Sequence, residues 1–152
     1  MNFHSTETYY FMSKANPRVI QVPIVHSLIL CISVWGNGRS EKLSLSGIIH
    51  YFIRRKFPVE LPYAHAYIEL SDGRGKMPID MKIVRETEEP QESELLCKLD
   101  SHIVDFADPR ALQICIAKLS KLKFDHPGTY RLVVETQGQF VADRPFYILR
   151  KR

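Results

Sequence analysis

The chain has 152 residues, of which 45% are hydrophobic and 25% charged, with a formal net charge of +4. That length suits one domain with a core of its own, and that balance excludes disordered, collagenous and coiled-coil chains. Arg150, Lys151 and Arg152 supply three of the charges; removing them from +4 leaves +1, too little for the basic stripe a nucleic-acid binder spreads over its folded face.

Residues 1–17 are polar and aromatic without a period. They read as an N-terminal extension, draped over the fold through Tyr9, Tyr10 and Phe11 or partly disordered, ahead of a single sandwich domain over 18–152. The apolar run 23–35 is shorter than the roughly 20 residues a membrane helix requires, and His26, Ser27 and Ser33 interrupt it. Gly36-Asn37-Gly38 follows, which is turn chemistry rather than a cleavage site, so the run reads as a buried strand and not as a signal peptide or span. Residues 42–52 continue as a second strand-like run, with Gly47 marking a bulge or a close backbone approach.

Residues 54–62 hold two prolines and read as an extended connection. From 63 to 70 the alternation is clean, with Ala66, Ile68 and Leu70 on one face and His65, Tyr67 and Glu69 on the other. Asp72-Gly73-Arg74-Gly75 predicts a hairpin turn into 77–84, where Ile79, Met81 and Ile83 share a face. The acidic stretch 86–94 reads as a solvated loop crossing between sheets, and 95–106 returns to strand character. Over 108–122 two periods compete: Asp108-Pro109 could start a helix, yet Leu112, Ile114 and Ile116 alternate. The reading preferred here is one helical turn at 109–111 and then a strand through Ile116.

Residues 123–149 close the chain as a Pro127-Gly128 turn, a strand, a Gln137-Gly138 turn and a return strand. The whole predicts an all-β fold, an Ig-like or C2-like antiparallel β-sandwich of seven to eight strands.

Several short motifs carry a resemblance. They are Glu41-Lys-Leu-Ser-Leu-Ser-Gly47, Lys56-Phe-Pro-Val-Glu-Leu-Pro62, the Leu-x-x-Leu-x-Phe lead-in from Leu119 to Phe124, Pro127-Gly-Thr-Tyr130 and Arg144-Pro-Phe-Tyr-Ile148. Through them the chain resembles an uncharacterised family of small bacterial proteins, a domain of unknown function, from about residue 23 to the C-terminus. The resemblance implies an all-β sandwich and brings no activity, cofactor or site residue with it.

Candidate sites are sparse. Gly128 and Tyr130 suit a tyrosine corner, in which the hydroxyl folds back onto upstream backbone, while Leu132 stands where disulfide-type Ig domains carry a cysteine. His4, His26, His50, His65, His102 and His126 show no metal-ligand spacing, although four of them fall in strand-like runs that a sheet could bring together. Asp72, Asp105 and Asp108 lack the clustering of a calcium site and read as turn residues. Cys31, Cys97 and Cys115 are odd in number and lie in apolar runs, which predicts free, inert thiols and a reducing, cytoplasmic setting.

Arg54-Arg55-Lys56, beside Tyr51, Phe52 and Phe57, is a weak anion-binding candidate. The sequence thus favours a non-enzymatic interaction module that docks a protein partner and needs no cofactor. The alternatives are a metal-dependent jelly-roll enzyme or small-ligand binder using strand histidines, and a weak nucleic-acid or phosphate binder through the basic loop.

Overall fold

The computed structural model describes residues 21–36, 42–89 and 92–152. The expected extension at 1–17, the tip of the Gly36-Asn37-Gly38 turn and part of the acidic stretch lie outside the described residues. Among those described there are ten strands and no helix. They are β1 (Ile24–Trp35), β2 (Ser44–Ile48), β3 (Tyr51–Arg54), β4 (Val59–Ser71), β5 (Gly75–Glu86), β6 (Ser93–Lys98), β7 (His102–Phe106), β8 (Gln113–Phe124), β9 (Gly128–Thr136) and β10 (Gln139–Arg150).

Two sheets face each other. One has the order β2-β1-β4-β8; the other runs β3-β10-β9-β5-β6, with β7 also on β5. Every pairing is antiparallel except β3 with β10, which is parallel. The period-2 pattern puts Ala64, Ala66, Ile68 and Leu70 of β4 opposite Ile79, Met81 and Ile83 of β5, all buried in one core. Each such large apolar side chain contributes about 1.5–3 kcal/mol on burial.

Three of the short motifs, at 119–124, 127–130 and 144–148, meet in one aromatic cluster in that core. Phe124 meets Phe52, Tyr130 and Phe146 edge-on at centroid distances of 5.9, 5.0 and 6.0 Å. Tyr130 and Phe146 stack at 5.7 Å. The Tyr130 hydroxyl donates to the His126 carbonyl at 2.6 Å, which forms the predicted corner, and Gly128 holds a positive φ of 151° just before it. The β9–β10 hairpin turns on Gln137 and Gly138, both at positive φ, the twist that suits a two-residue hairpin loop.

Several sequence expectations differ from the structure. The strand count is ten rather than seven or eight because two runs each divide. The run 42–52 switches sheets at Ile49 and His50: Ile49 N–H donates to Leu30 at 2.7 Å, while the His50 carbonyl accepts from Tyr147 N–H of the other sheet. The run 95–106 breaks at 99–101 but stays alongside β5 as β6 and β7. The acidic stretch does not cross between sheets; it joins β5 to its antiparallel neighbour β6. The Asp72–Gly75 turn does cross, from β4 to β5, so it is not a hairpin.

No helical turn forms at 109–111. Asp108 instead caps a tight turn, accepting from Arg110 N–H through Oδ1 at 3.0 Å and from Ala111 N–H through its carbonyl at 3.1 Å. The strand β8 then runs to Phe124, well past Ile116, and buries Cys115, Ala117 and Leu119 rather than the Ile114 and Ile116 face. Lys121, at φ 55°, resets the alternation so that Leu122 and Phe124 also point inward. Of the two readings at Gly47, the close approach is the one present: the β1–β2 register runs unshifted, φ is 67°, and a Cβ there would stand 2.8 Å from Ile32 Cγ1.

Candidate functional site: an apolar and cationic face on the β3–β10 pair

The parallel pairing of β3 with β10 brings together groups nearly a hundred positions apart in sequence. Tyr51 registers with Tyr147, Ile53 with Leu149, and Arg54 with Arg150. Phe52 and Ile148 point into the core, so Tyr51, Ile53, Tyr147 and Leu149 point outward. Their exposures are 62%, 46%, 43% and 46%, which makes a contiguous apolar patch on the outer face of the six-stranded sheet.

Cations gather at one end of this patch. Arg54, Arg55 and Lys56 end one strand, and Arg150, Lys151 and Arg152 end the other, with Lys151 N–H donating to the Arg54 carbonyl at 2.9 Å. The Arg54 guanidinium lies over Phe52 at 5.2 Å from the ring centre, and that of Arg150 over Phe57 at 4.8 Å. No described carboxylate makes an ion pair with any of the six, whereas Lys82, Arg85, Lys123 and Arg131 elsewhere are all paired. The sequence pointed to Arg54, Arg55 and Lys56. It did not join them to the C-terminal cations, because only the parallel register does so.

Other chemistry-bearing residues are engaged locally. A groove of about 430 Å³ on the same outer face, lined by residues of β5 and β9 with Phe140, holds a charge network. In it Lys82 pairs with Glu135 at 2.5 Å, and Arg131 binds both Glu86 and Asp143. Both cations are engaged by carboxylates, and with Glu89 and Glu92 also on its lining the groove carries more acids than bases.

His26, Ser71 and Asp72 do meet, a juxtaposition the sequence reading missed. Ser71 Oγ lies 2.6 Å from His26 Nε2 and donates to Asp72 Oδ2 at 2.5 Å. A nucleophilic triad needs the imidazole between hydroxyl and carboxylate. Here the serine is in the middle and is itself buried, so the arrangement clasps β1 to the β4–β5 turn.

His65 and His50 are held apart from each other, and His4 lies outside the described residues. His65 Nδ1 bonds to the Ile32 carbonyl at 2.8 Å, and His50 Nδ1 lies 3.1 Å from Arg144 Nη2, in the sheet switch rather than in a strand. The Asp72 and Asp108 turns touch through Asp72 N–H and the Pro109 carbonyl at 2.6 Å. Among the described residues, no group of three or more His, Cys, Asp or Glu side chains is placed to hold a metal ion.

The three thiols are free. Burial pushes all of them up, Cys115 to about 11, which suppresses the reactive thiolate. Tyr67, on the outer face of the four-stranded sheet, is pushed up to about 12 by burial and then by its bond to Glu69 Oε1. No described helix is long and apolar enough to cross a membrane.

Among curated proteins none matches the chain. Two solved structures resemble it in shape. One is the Pseudomonas fluorescens alkylpurine DNA glycosylase AlkC bound to DNA containing an abasic site analog, at 12% identity and a TM-score of 0.49 over 85% of this chain. The other is a Listeria innocua β-glucosidase in complex with isofagomine, at 14% identity and a TM-score of 0.40, also over 85%. The chain spans 31% and 16% of their respective lengths, and at these scores neither likeness carries a conclusion about it. Residues 26–149, from the first strand nearly to the end of the last, match the family of unknown function DUF6941, and the chain belongs to that family.

Proposed function

We propose that this protein is a non-catalytic interaction module that docks a protein partner on the outer face of the β3–β10 pair. The observation that carries the reading is the exposed quartet Tyr51, Ile53, Tyr147 and Leu149, held in register on an ordered sheet. Most apolar side chains left on a protein surface stand singly; a contiguous group with a polar rim marks an interaction site. Tyrosine and arginine are the residues that dominate binding energy at such surfaces, and both occur here. The internal pairing of the charged groove and the raised thiols support the non-catalytic part of the reading. The unpaired thiols support a cytoplasmic setting.

Site-specific photo-crosslinking in the source cells tests it. A photoreactive residue at Leu149 is expected to give one discrete adduct with another protein, and the same residue at exposed Ile103 on β7 is expected to give none. Equal adducts from both positions, or an adduct only with a second copy of this chain, would contradict the reading.

A further inference from the structure

The docking face carries a second signature besides its apolar centre. Six cations collect at one end of the six-stranded sheet. Removing all six from the net +4 leaves the rest of the chain at −2, so the charge is concentrated rather than spread. Arg55 and Lys151 directly follow the last residues of β3 and β10, past the outward Ile53 and Leu149, and both are exposed. Arg54 and Arg150 lie at the rim over Phe52 and Phe57.

Each of these groups is exposed and without a carboxylate partner. Concentrating six like charges costs self-repulsion that an incoming anionic surface relieves. On the docking reading above, we propose that the seated partner is an acidic polypeptide segment: a short stretch in which Asp or Glu side chains alternate with aromatic or aliphatic ones. The apolar residues cover the Tyr51, Ile53, Tyr147 and Leu149 quartet. The carboxylates reach Arg55 and Lys151, with Arg54, Lys56, Arg150 and Arg152 around them.

The same surface suits a nucleic acid less well, for three structural reasons. Bases stack on flat rings, and half of the quartet is aliphatic. The nearby Phe52 and Phe57 rings are already covered by guanidinium groups. A phosphate backbone also needs a continuous basic track. Past the patch, the outer face of the next strands presents Asp143, Glu86 and Glu135, whose charges are matched only by Arg131 and Lys82. An acidic peptide needs only the short cationic end.

The test uses the full chain and four probes: a random copolymer of glutamate and tyrosine, poly-glutamate, poly-uridylate, and vesicles containing phosphatidylserine. Fluorescence anisotropy or light scattering reads binding at low and high salt. The copolymer is expected to bind at least about ten-fold more tightly than the other three, and to weaken about ten-fold or more as salt rises. The double charge reversal Arg55→Glu with Lys151→Glu is expected to remove binding. Ile53→Ser with Leu149→Ser is expected to remove only the preference for the tyrosine-bearing copolymer. Unchanged thermal melts would confirm that both variants fold.

Tighter binding of poly-uridylate or of vesicles overturns the acidic-peptide assignment, as does copolymer binding that ignores the charge reversal. Failure of all four probes while the Leu149 adduct persists overturns the acidic partner alone. Loss of the adduct as well overturns the docking face.

Discussion

Tyr130 stacks on Phe146, meets Phe124 edge-on and donates its hydroxyl to the His126 carbonyl, so one side chain fixes both the core and the turn leading into β9. Tyr130→Phe keeps the ring and removes the bond, leaving the His126 carbonyl to water. A loss of about 1 kcal/mol is expected from urea unfolding, against about 3–5 kcal/mol for Tyr130→Ala. Equal losses in the two variants would mean that the hydroxyl, not the ring, carries the stabilisation.

Cys115 makes a pH-dependent contribution. Its folded-state pKa is about 11 against an ordinary 9.0, raised by burial. A group raised in the folded state stabilises fully below its unfolded value and loses that contribution as pH rises through the folded one. Unfolding free energy is therefore expected to fall between pH 9 and about 11, and Cys115→Ala is expected to flatten part of that decline. An identical pH profile in the variant would contradict it.

At the scale of the element, the turn between β4 and β5 shows how a local signal can be right in kind and wrong in destination. Asp72-Gly73-Arg74-Gly75 does turn the chain, as its composition requires, but the flanking strands lie in different sheets. At the crossing Gly73 lies against the ring of Phe106 on β7: a Cβ added there would stand 2.4 Å from the ring. Phe106 is buried and cannot retreat. Gly73→Ala is expected to destabilise by about 1–3 kcal/mol in urea unfolding, as overpacking does. A neutral result would show that the turn does not pack on Phe106.

The same distinction explains what was legible in the sequence. Alternation placed β5, β9 and β10, and β4 from Tyr63 onward, because each buries one face with period 2 and that signal is local. The start of β4, from Val59 to Leu61, reads as a connection because prolines flank it, yet it pairs with β8. β8 was placed only in part: its outward Ile114 and Ile116 imitate a core face, and the register change at Lys121 lies in a backbone angle that lysine rarely adopts. The sheet switch at Ile49 and His50 was invisible because both halves of the run are strand-like, and only distant hydrogen-bond partners divide them. The candidate site was half legible. Arg54-Arg55-Lys56 can be read along the chain, but its union with Tyr147, Leu149 and Arg150-Lys151-Arg152 depends on a parallel pairing between residues nearly a hundred positions apart.

At the scale of the molecule, the sandwich separates two kinds of surface. The central outer face of the six-stranded sheet carries charges that answer one another, Lys82 with Glu135 and Arg131 with Glu86 and Asp143. Its β3–β10 end carries cations with no carboxylate partner around an apolar centre. Beneath that end the Phe52, Phe124, Tyr130 and Phe146 cluster holds both strands rigid, so a partner meets a preorganised surface rather than one it must order. The short motifs at 119–124, 127–130 and 144–148 supply Phe124, Tyr130 and Phe146 of this cluster.

The most direct measurement is the affinity of the protein captured at Leu149 for purified wild-type chain and for two sets of variants. Ile53→Ser with Leu149→Ser is expected to weaken binding about ten-fold or more, as loss of central apolar contacts does, while Ile103→Ser leaves it within about two-fold. Wild-type affinity in the double variant, with its fold intact, would contradict the assignment of the β3–β10 face as the docking surface.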